Sequence, residues 1–205
     1  MIKTIVFDIG NVLFGYEPRY ILNQLLPENP FHDDYLTHFI HAPVWQDMDR
    51  GIIDESALAD MLEPFIKDPH LAENLDLIVN HFIYHLNPIL GSRELFLQLK
   101  ARYPVYLLSN FQAVPFSKLR EIHPFLYQAN GAIVSAHHHE MKPEPAIYNR
   151  LLKKYALIPN ETVFIDDLPD NIAAAKAQGM HGIVFTSPEQ TKDELVTLGV
   201  TVLHD

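Results

Sequence analysis

"VFIDDLPDNIAAAKAQG", residues 163–179, reads as a single strand-to-helix unit. The apolar run 163–165 suits a buried strand, and it ends on two adjacent carboxylates, Asp166 and Asp167. Pro169 and Asp170 suit the first turn of a helix, and Gly179 suits its stop. The same grammar recurs along the chain. Further apolar runs at 2–7, 105–108, 132–134 and 183–185 read as strands, each bounded by polar residues. Helical patterns stand among them at 92–102, 116–122 and 145–155. Such alternation implies an α/β fold, a Rossmann-like parallel sheet covered on both faces. Ligands bind such sheets beyond the carboxyl ends of the strands. Asp8, Ser109, Asp166 and Asp167 are expected to converge there.

Residues 16–86 differ in character. "PRYILNQLL", "DESALADML" and "LAENLDLIVNHFIYHL" carry helical patterning and no convincing strand. A turn is expected at Gly51 and a helix start near Asp54 or Ser56. The expected division is therefore a core of residues 1–15 and 87–205 with an inserted helical cap at 16–86. An insert that follows the first strand directly would lie over the site as a lid.

Composition narrows the function. The chain has 205 residues, 48% of them hydrophobic, enough for one well-cored domain or a core with a smaller insert. Fifteen basic against 26 acidic residues give a formal charge of −11, which would repel a nucleic-acid backbone. A small phosphorylated ligand is still allowed, because a local positive site can sit inside a negative molecule. There is no cysteine, so disulfides, thiol catalysis and Cys-zinc sites are absent. No stretch approaches the roughly 18 apolar residues of a membrane span, and the N-terminal apolar run is too short for a signal peptide. A cytoplasmic protein is the expectation, with no membrane or nucleic-acid partner; the oligomeric state cannot be read from the sequence.

Four groups carry chemistry, and each has a bland reading beside the functional one. Asp8, in "FDIGNVLF" (7–14), could simply form a turn after a strand. Ser109 and Asn110, in "LLSN", could simply start a loop. Lys142, in "MKPEPAIY", is biased by Pro143 toward extended backbone ahead of a helix that opens at Pro145. It is either a solvated lysine or an ammonium delivered to an anion-favouring helix start. Asp166 and Asp167 are costly to hold side by side, since like charges disfavour ionisation. A hard divalent cation with oxygen ligands removes that cost; an exposed helix entry is the alternative.

In the order Asp, Ser, Lys, Asp-Asp, with three of the groups directly after expected strands, the set resembles the haloacid dehalogenase (HAD) superfamily. It is most similar to the phosphatases with a helical cap and, within those, to the α-D-glucose-1-phosphatase-like branch. The resemblance spans the whole chain and is weakest in the cap. It implies a Mg²⁺-dependent phosphatase acting on a small phosphorylated metabolite, a sugar phosphate among the options. Asp8 would form an aspartyl-phosphate that water hydrolyses. Lys142 and Asp166 complete the implied catalytic set, Asp166 acting from behind the metal. Asp8, the backbone carbonyl of Gly10 and Asp167 would hold Mg²⁺. Ser109 and the amide at Asn110 would bind phosphoryl oxygens, with Arg50 of the cap as a further candidate substrate contact. Asn171 matches a position that orients the last loop.

One departure stands out. The family pattern is D-x-D, and its second Asp usually protonates the leaving oxygen and later activates water; here that position is Gly10. Metal binding needs only the carbonyl, which glycine keeps. General acid–base help, typically worth about 10²–10⁴-fold, is missing. This favours substrates with acidic leaving groups, or a substitute group such as Asp166, a cap residue or water. A metal-independent 2-haloacid dehalogenase would share Asp8, but such enzymes replace the Asp166–Asp167 pair. A phosphomutase depends strongly on the missing acid. A weakly active regulatory protein that binds a phosphorylated metabolite would be consistent with Gly10. His137 to His139 are expected to be exposed, and His81, His85 and Trp45 to pack within the cap, with contact to substrate as the lesser reading of Trp45.

Overall fold

The computed structural model describes residues 1–53 and 72–202. Five parallel strands form the central sheet: β1 (Thr4–Phe7), β4 (Val105–Ser109), β5 (Gly131–Val134), β6 (Thr162–Asp166) and β7 (His181–Val184). Their order is β5-β4-β1-β6-β7. All four residues of β1 are buried, as a middle strand covered on both faces requires. Its register pairs Phe7 with Leu107 on one side and with Ile165 on the other. The ends of β1, β4 and β6 therefore lie level, and Asp8 follows directly, its N–H donating to the Ile165 carbonyl (2.9 Å). The chain builds outward from β1 to β5 and then returns to the far side of β1. This reversal is where α/β sheets open a crevice for ligands.

Helices cover the sheet: α5 (Leu90–Lys100), α6 (Ala113–Ile122), α7 (Pro145–Lys154), α8 (Pro169–Ala177) and α9 (Pro188–Thr197). One core cluster joins β1 and β4 to α5 through Phe7, Leu95, Phe96 and Leu107. The second packs α7 and α8 through Ile147, Tyr148, Leu151 and Ile172 onto Val6, Leu108 and Phe164. Each fully buried side chain of this size contributes about 1.5–3 kcal/mol. Gly179 follows α8 at φ +84°, the left-handed stop expected of a helix-ending glycine.

Between β1 and α5 the described chain is helical: α1 (Pro18–Leu25), α2 (His32–Tyr35) running into a wider turn at Leu36–Ile40, α3 (Pro43–Asp49) and α4 (Leu75–His81). Both ends of this stretch are tied by a two-stranded antiparallel pair, β2 (Phe14–Gly15) with β3 (Asn87–Pro88). Strands of two residues leave no periodicity to read, so the sequence did not announce them. The expected helix at "DESALADML" and its start near Asp54 or Ser56 lie outside the described residues. Gly51 does make the expected turn, at φ +73°. His81, expected to pack inside the cap, is exposed; its Nδ1 lies 3.2 Å from the Leu77 carbonyl and its ring lies against Tyr84. Trp45 is buried between Phe39 and Phe82, at 5.4 Å from each ring.

Candidate active site

The four groups singled out in sequence meet at the carboxyl edge of the sheet. Asp8 is 6% exposed and Lys142 5%, and Lys142 Nζ stands 2.7 Å from Asp8 Oδ1 and 2.6 Å from Asp166 Oδ2. The lysine arrives from a loop by a fixed route. Asn110 Oδ1 accepts from the Lys142 N–H (2.8 Å), and Asn110 Nδ2 donates to the Lys142 carbonyl (2.9 Å). The Asn110 side chain thus clamps the lysine's own backbone.

Asp166 is fully buried and saturated with donors. It accepts from Asn171 Nδ2 at 2.9 and 3.1 Å, from the Leu168 N–H at 2.8 Å and from Lys142. Asn171 is held in turn by α7, because the Tyr148 hydroxyl donates to its carbonyl (3.0 Å). The structure therefore places Asp166 behind Lys142, outside the cavity lining. Asp167 lies to the front and accepts from Asn11 Nδ2 (3.3 Å). Sequence reading had not marked Asn11 or Tyr148. For Asn11 a signal existed, a polar residue beside Gly10 that adopts φ +53°.

A cavity of about 230 Å³ opens over these groups, lined at its polar end by Asp8, Gly10, Asn11, Ser109, Lys142 and Asp167. Electrostatics there are unbalanced. Burial, the largest influence, pushes the Asp8 carboxyl up to about 7; Lys142 opposes the rise and Asp166 adds to it. Burial works against the Lys142 ammonium, yet Asp8 and Asp166 together hold its pKa above the ordinary lysine range. Burial and Asp166 also raise Asp167, against the Asn11 donor.

The carboxylates of Asp8, Asp166 and Asp167 present oxygens within 4.8 Å of one another, and Lys142, paired with the first two, brings a single positive charge to the three acids. Beyond its ion pair, Asp8 Oδ1 has no aligned hydrogen bond. An all-oxygen donor set with surplus negative charge fits a hard divalent cation.

Arg50, a candidate substrate contact, is directed elsewhere. Its guanidinium pairs with Glu144 (2.5 and 3.0 Å) and donates to the His139 carbonyl (3.3 Å). The Ser135 hydroxyl also donates to the Asp49 carbonyl, and a Cβ on Gly51 would collide with the Ala136 carbonyl oxygen. The end of α3 is thus fastened to the loop that carries Lys142.

A buried aspartate held by a lysine thus stands beside two further carboxylates at the crevice of a parallel sheet. A model of the haloacid dehalogenase-like hydrolase family matches residues 2–179, and the chain belongs to that family. It is 29% identical over 194 residues to the sesquiterpene phosphatase astK of Aspergillus oryzae, covering 94% of each chain. It is 25% identical over 205 residues to the D-ribitol-5-phosphate phosphatase of Bacteroides thetaiotaomicron, covering 97% of this chain and 98% of the other. In structure it is similar to a HAD family enzyme of Bacteroides thetaiotaomicron in complex with magnesium and inorganic phosphate. That likeness has a TM-score of 0.73 at 19% identity and covers 91% of this chain and 95% of the other. The protein is a phosphatase-like hydrolase.

Proposed function

We propose that this hydrolase is a Mg²⁺-dependent phosphomonoesterase for a small phosphorylated metabolite, working through an aspartyl-phosphate on Asp8. The observation that carries the reading is Lys142 Nζ seated between Asp8 and Asp166, with Asp167 within reach of the same point. The two phosphatase relatives support it.

Asp8, the Gly10 carbonyl and Asp167 would hold Mg²⁺, which supplies positive charge against the phosphoryl oxygens. An Asp8 oxygen attacks phosphorus, the bond to the ester oxygen breaks, and that oxygen leaves with the electron pair and takes a proton from water to become the alcohol. Lys142, the Ser109 hydroxyl and the Asn110 N–H meet the charge on the transferring group. Water then attacks phosphorus, the Asp8–phosphoryl bond breaks, and carboxylate and inorganic phosphate are restored. Asp166 is a positioning residue that fixes Lys142. Helices α1, α3 and α4 form the lid. Phosphate release from a metabolite panel, with and without Mg²⁺, tests the reading; Mg²⁺-independent release, or none from any phosphate ester, would count against it.

Gly10 sets a second expectation. A Cβ there meets nothing within 4 Å, and the backbone is not left-handed, so a side chain can start at this position without a clash. Gly10→Asp should raise turnover of alkyl phosphates about 10²-fold and that of phosphates with good leaving groups much less. Equal effects on both, or a uniform loss, would contradict the account of position 10.

The raised Asp8 pKa predicts a pH-dependent response to Mg²⁺. Without metal, the folded chain keeps a proton on Asp8 that the unfolded chain releases near 3.8. That stabilisation is complete below about pH 4 and is lost as pH rises through about 7. Cation binding requires the ionised form, so the rise in Tm on adding Mg²⁺ should be larger at pH 8 than at pH 6. Thermal melts at both pH values check this; an equal or reversed response contradicts it.

A further inference from the structure

The inference concerns the substrate class and rests on the phosphatase reading above. Beyond the carboxylates and Lys142, the cavity wall changes character. It is made by Phe14, Trp45, Phe82, Leu86, Phe111 and Leu168. Trp45 and Phe82 come from the helical segment and Phe111 from the loop after β4, so the wall spans lid and core. Trp45 stands edge-on to Phe82 at 5.4 Å, and Phe82 lies 6.2 Å from Phe111, a continuous aromatic surface. These rings are packed in the core, and the small part of each that stays open faces the cavity.

Few polar side chains stand next to this wall: Asn11, Tyr16 and Asp49, against six apolar ones. The Asn11 amide is committed at both ends, donating to Asp167 and accepting from the Tyr16 N–H (3.0 Å). Tyr16 and Asp49 lie close enough for the Asp49 carboxylate, after burial, to help keep the phenol protonated. A sugar or polyol phosphate would bring several hydroxyls against aromatic carbon, and each hydroxyl buried without a partner is penalised. Sites that select hydroxylated substrates do so with hydrogen-bonding groups set against each hydroxyl.

We propose that the alcohol part of the substrate is an apolar group seated on Trp45, Phe82 and Phe111, with the phosphate at Asp8 and Lys142. A hydrophobic phosphomonoester, not a polyol phosphate, is the class this cavity takes.

The test compares octyl phosphate with sorbitol 6-phosphate, both esters of primary alkyl alcohols, so that leaving-group chemistry does not decide the outcome. On the unaltered chain with Mg²⁺, kcat/KM for octyl phosphate should exceed that for sorbitol 6-phosphate by about tenfold or more. Trp45→Ala and the milder Phe82→Leu should each shrink that ratio, chiefly through a higher KM for octyl phosphate. A ratio of one or below overturns the proposal, as does a ratio that neither variant changes. The unaltered chain decides even if a variant fails to fold. para-Nitrophenyl phosphate separates the two levels of the reading. Its hydrolysis without an octyl preference overturns the substrate class alone, whereas no hydrolysis of any of the three esters overturns the phosphatase reading and this inference with it.

Discussion

Asp8→Asn should abolish phosphate release, by about 10⁴-fold or more, while leaving the protein as stable as before or more so. The activity loss follows from removing the attacking oxygen, for which no neighbour is free to substitute: Asp166 is saturated with donors, and Asp167 is held by Asn11 and, in the proposed site, by Mg²⁺. The stability expectation follows from the burial that pushes the Asp8 carboxyl up to about 7. A neutral amide of the same shape removes a charge the fold holds at a cost, and Lys142 keeps Asp166 as its partner. Phosphate release and thermal melting at pH 8 without Mg²⁺ read the two effects separately. A large fall in Tm would mean that Asp8 is mainly a structural anchor; surviving activity would mean that it is not the nucleophile.

Lys142→Met should fail on both counts. The ammonium is the one basic group that the described residues bring into contact with Asp8 and Asp166, and its side chain is 2% exposed. Removing it leaves two buried carboxylates facing each other, a loss of about 3 kcal/mol that part-protonation softens and acid pH reduces. For a chain of this size that corresponds to a fall of about 6–12 °C in Tm. Activity should drop by about 10³-fold, because the same charge faces the phosphoryl group in the reaction. Melting curves and phosphate release at pH 8 check both. A variant as stable as the parent would show that the three charges are not coupled as the 2.6 and 2.7 Å contacts imply.

Much of this site was legible because parallel strands simplify reading. A strand covered on both faces must be apolar throughout, so the first polar residue after 2–7, 105–108 and 163–165 marks the carboxyl edge where ligands bind. Asp8, Ser109 and Asp166 fell out of that rule. Lys142 did not, since it rides a loop and its approach depends on a contact with Asn110 that is 32 residues distant. What the lysine touches is a property of the fold, not of its local sequence. Arg50 shows the same limit in reverse. An arginine beside an expected cap turn reads as a candidate substrate contact, and its partner in the structure is Glu144, 94 residues on. The apolar wall was hidden for a third reason. Trp45 and Phe82 read first as packing residues in sequence, and only the fold shows that both line the cavity that holds Asp8.

Reductive trapping tests the central claim most directly. The protein is mixed with a phosphate ester and Mg²⁺, quenched in acid during turnover and treated with borohydride, which reduces an acyl phosphate to an alcohol. Peptide mass spectrometry should then find homoserine at position 8 and unchanged aspartate at 166 and 167, with no conversion when substrate is left out. Turnover with an unmodified residue 8, or conversion at 166 or 167 instead, would contradict the account.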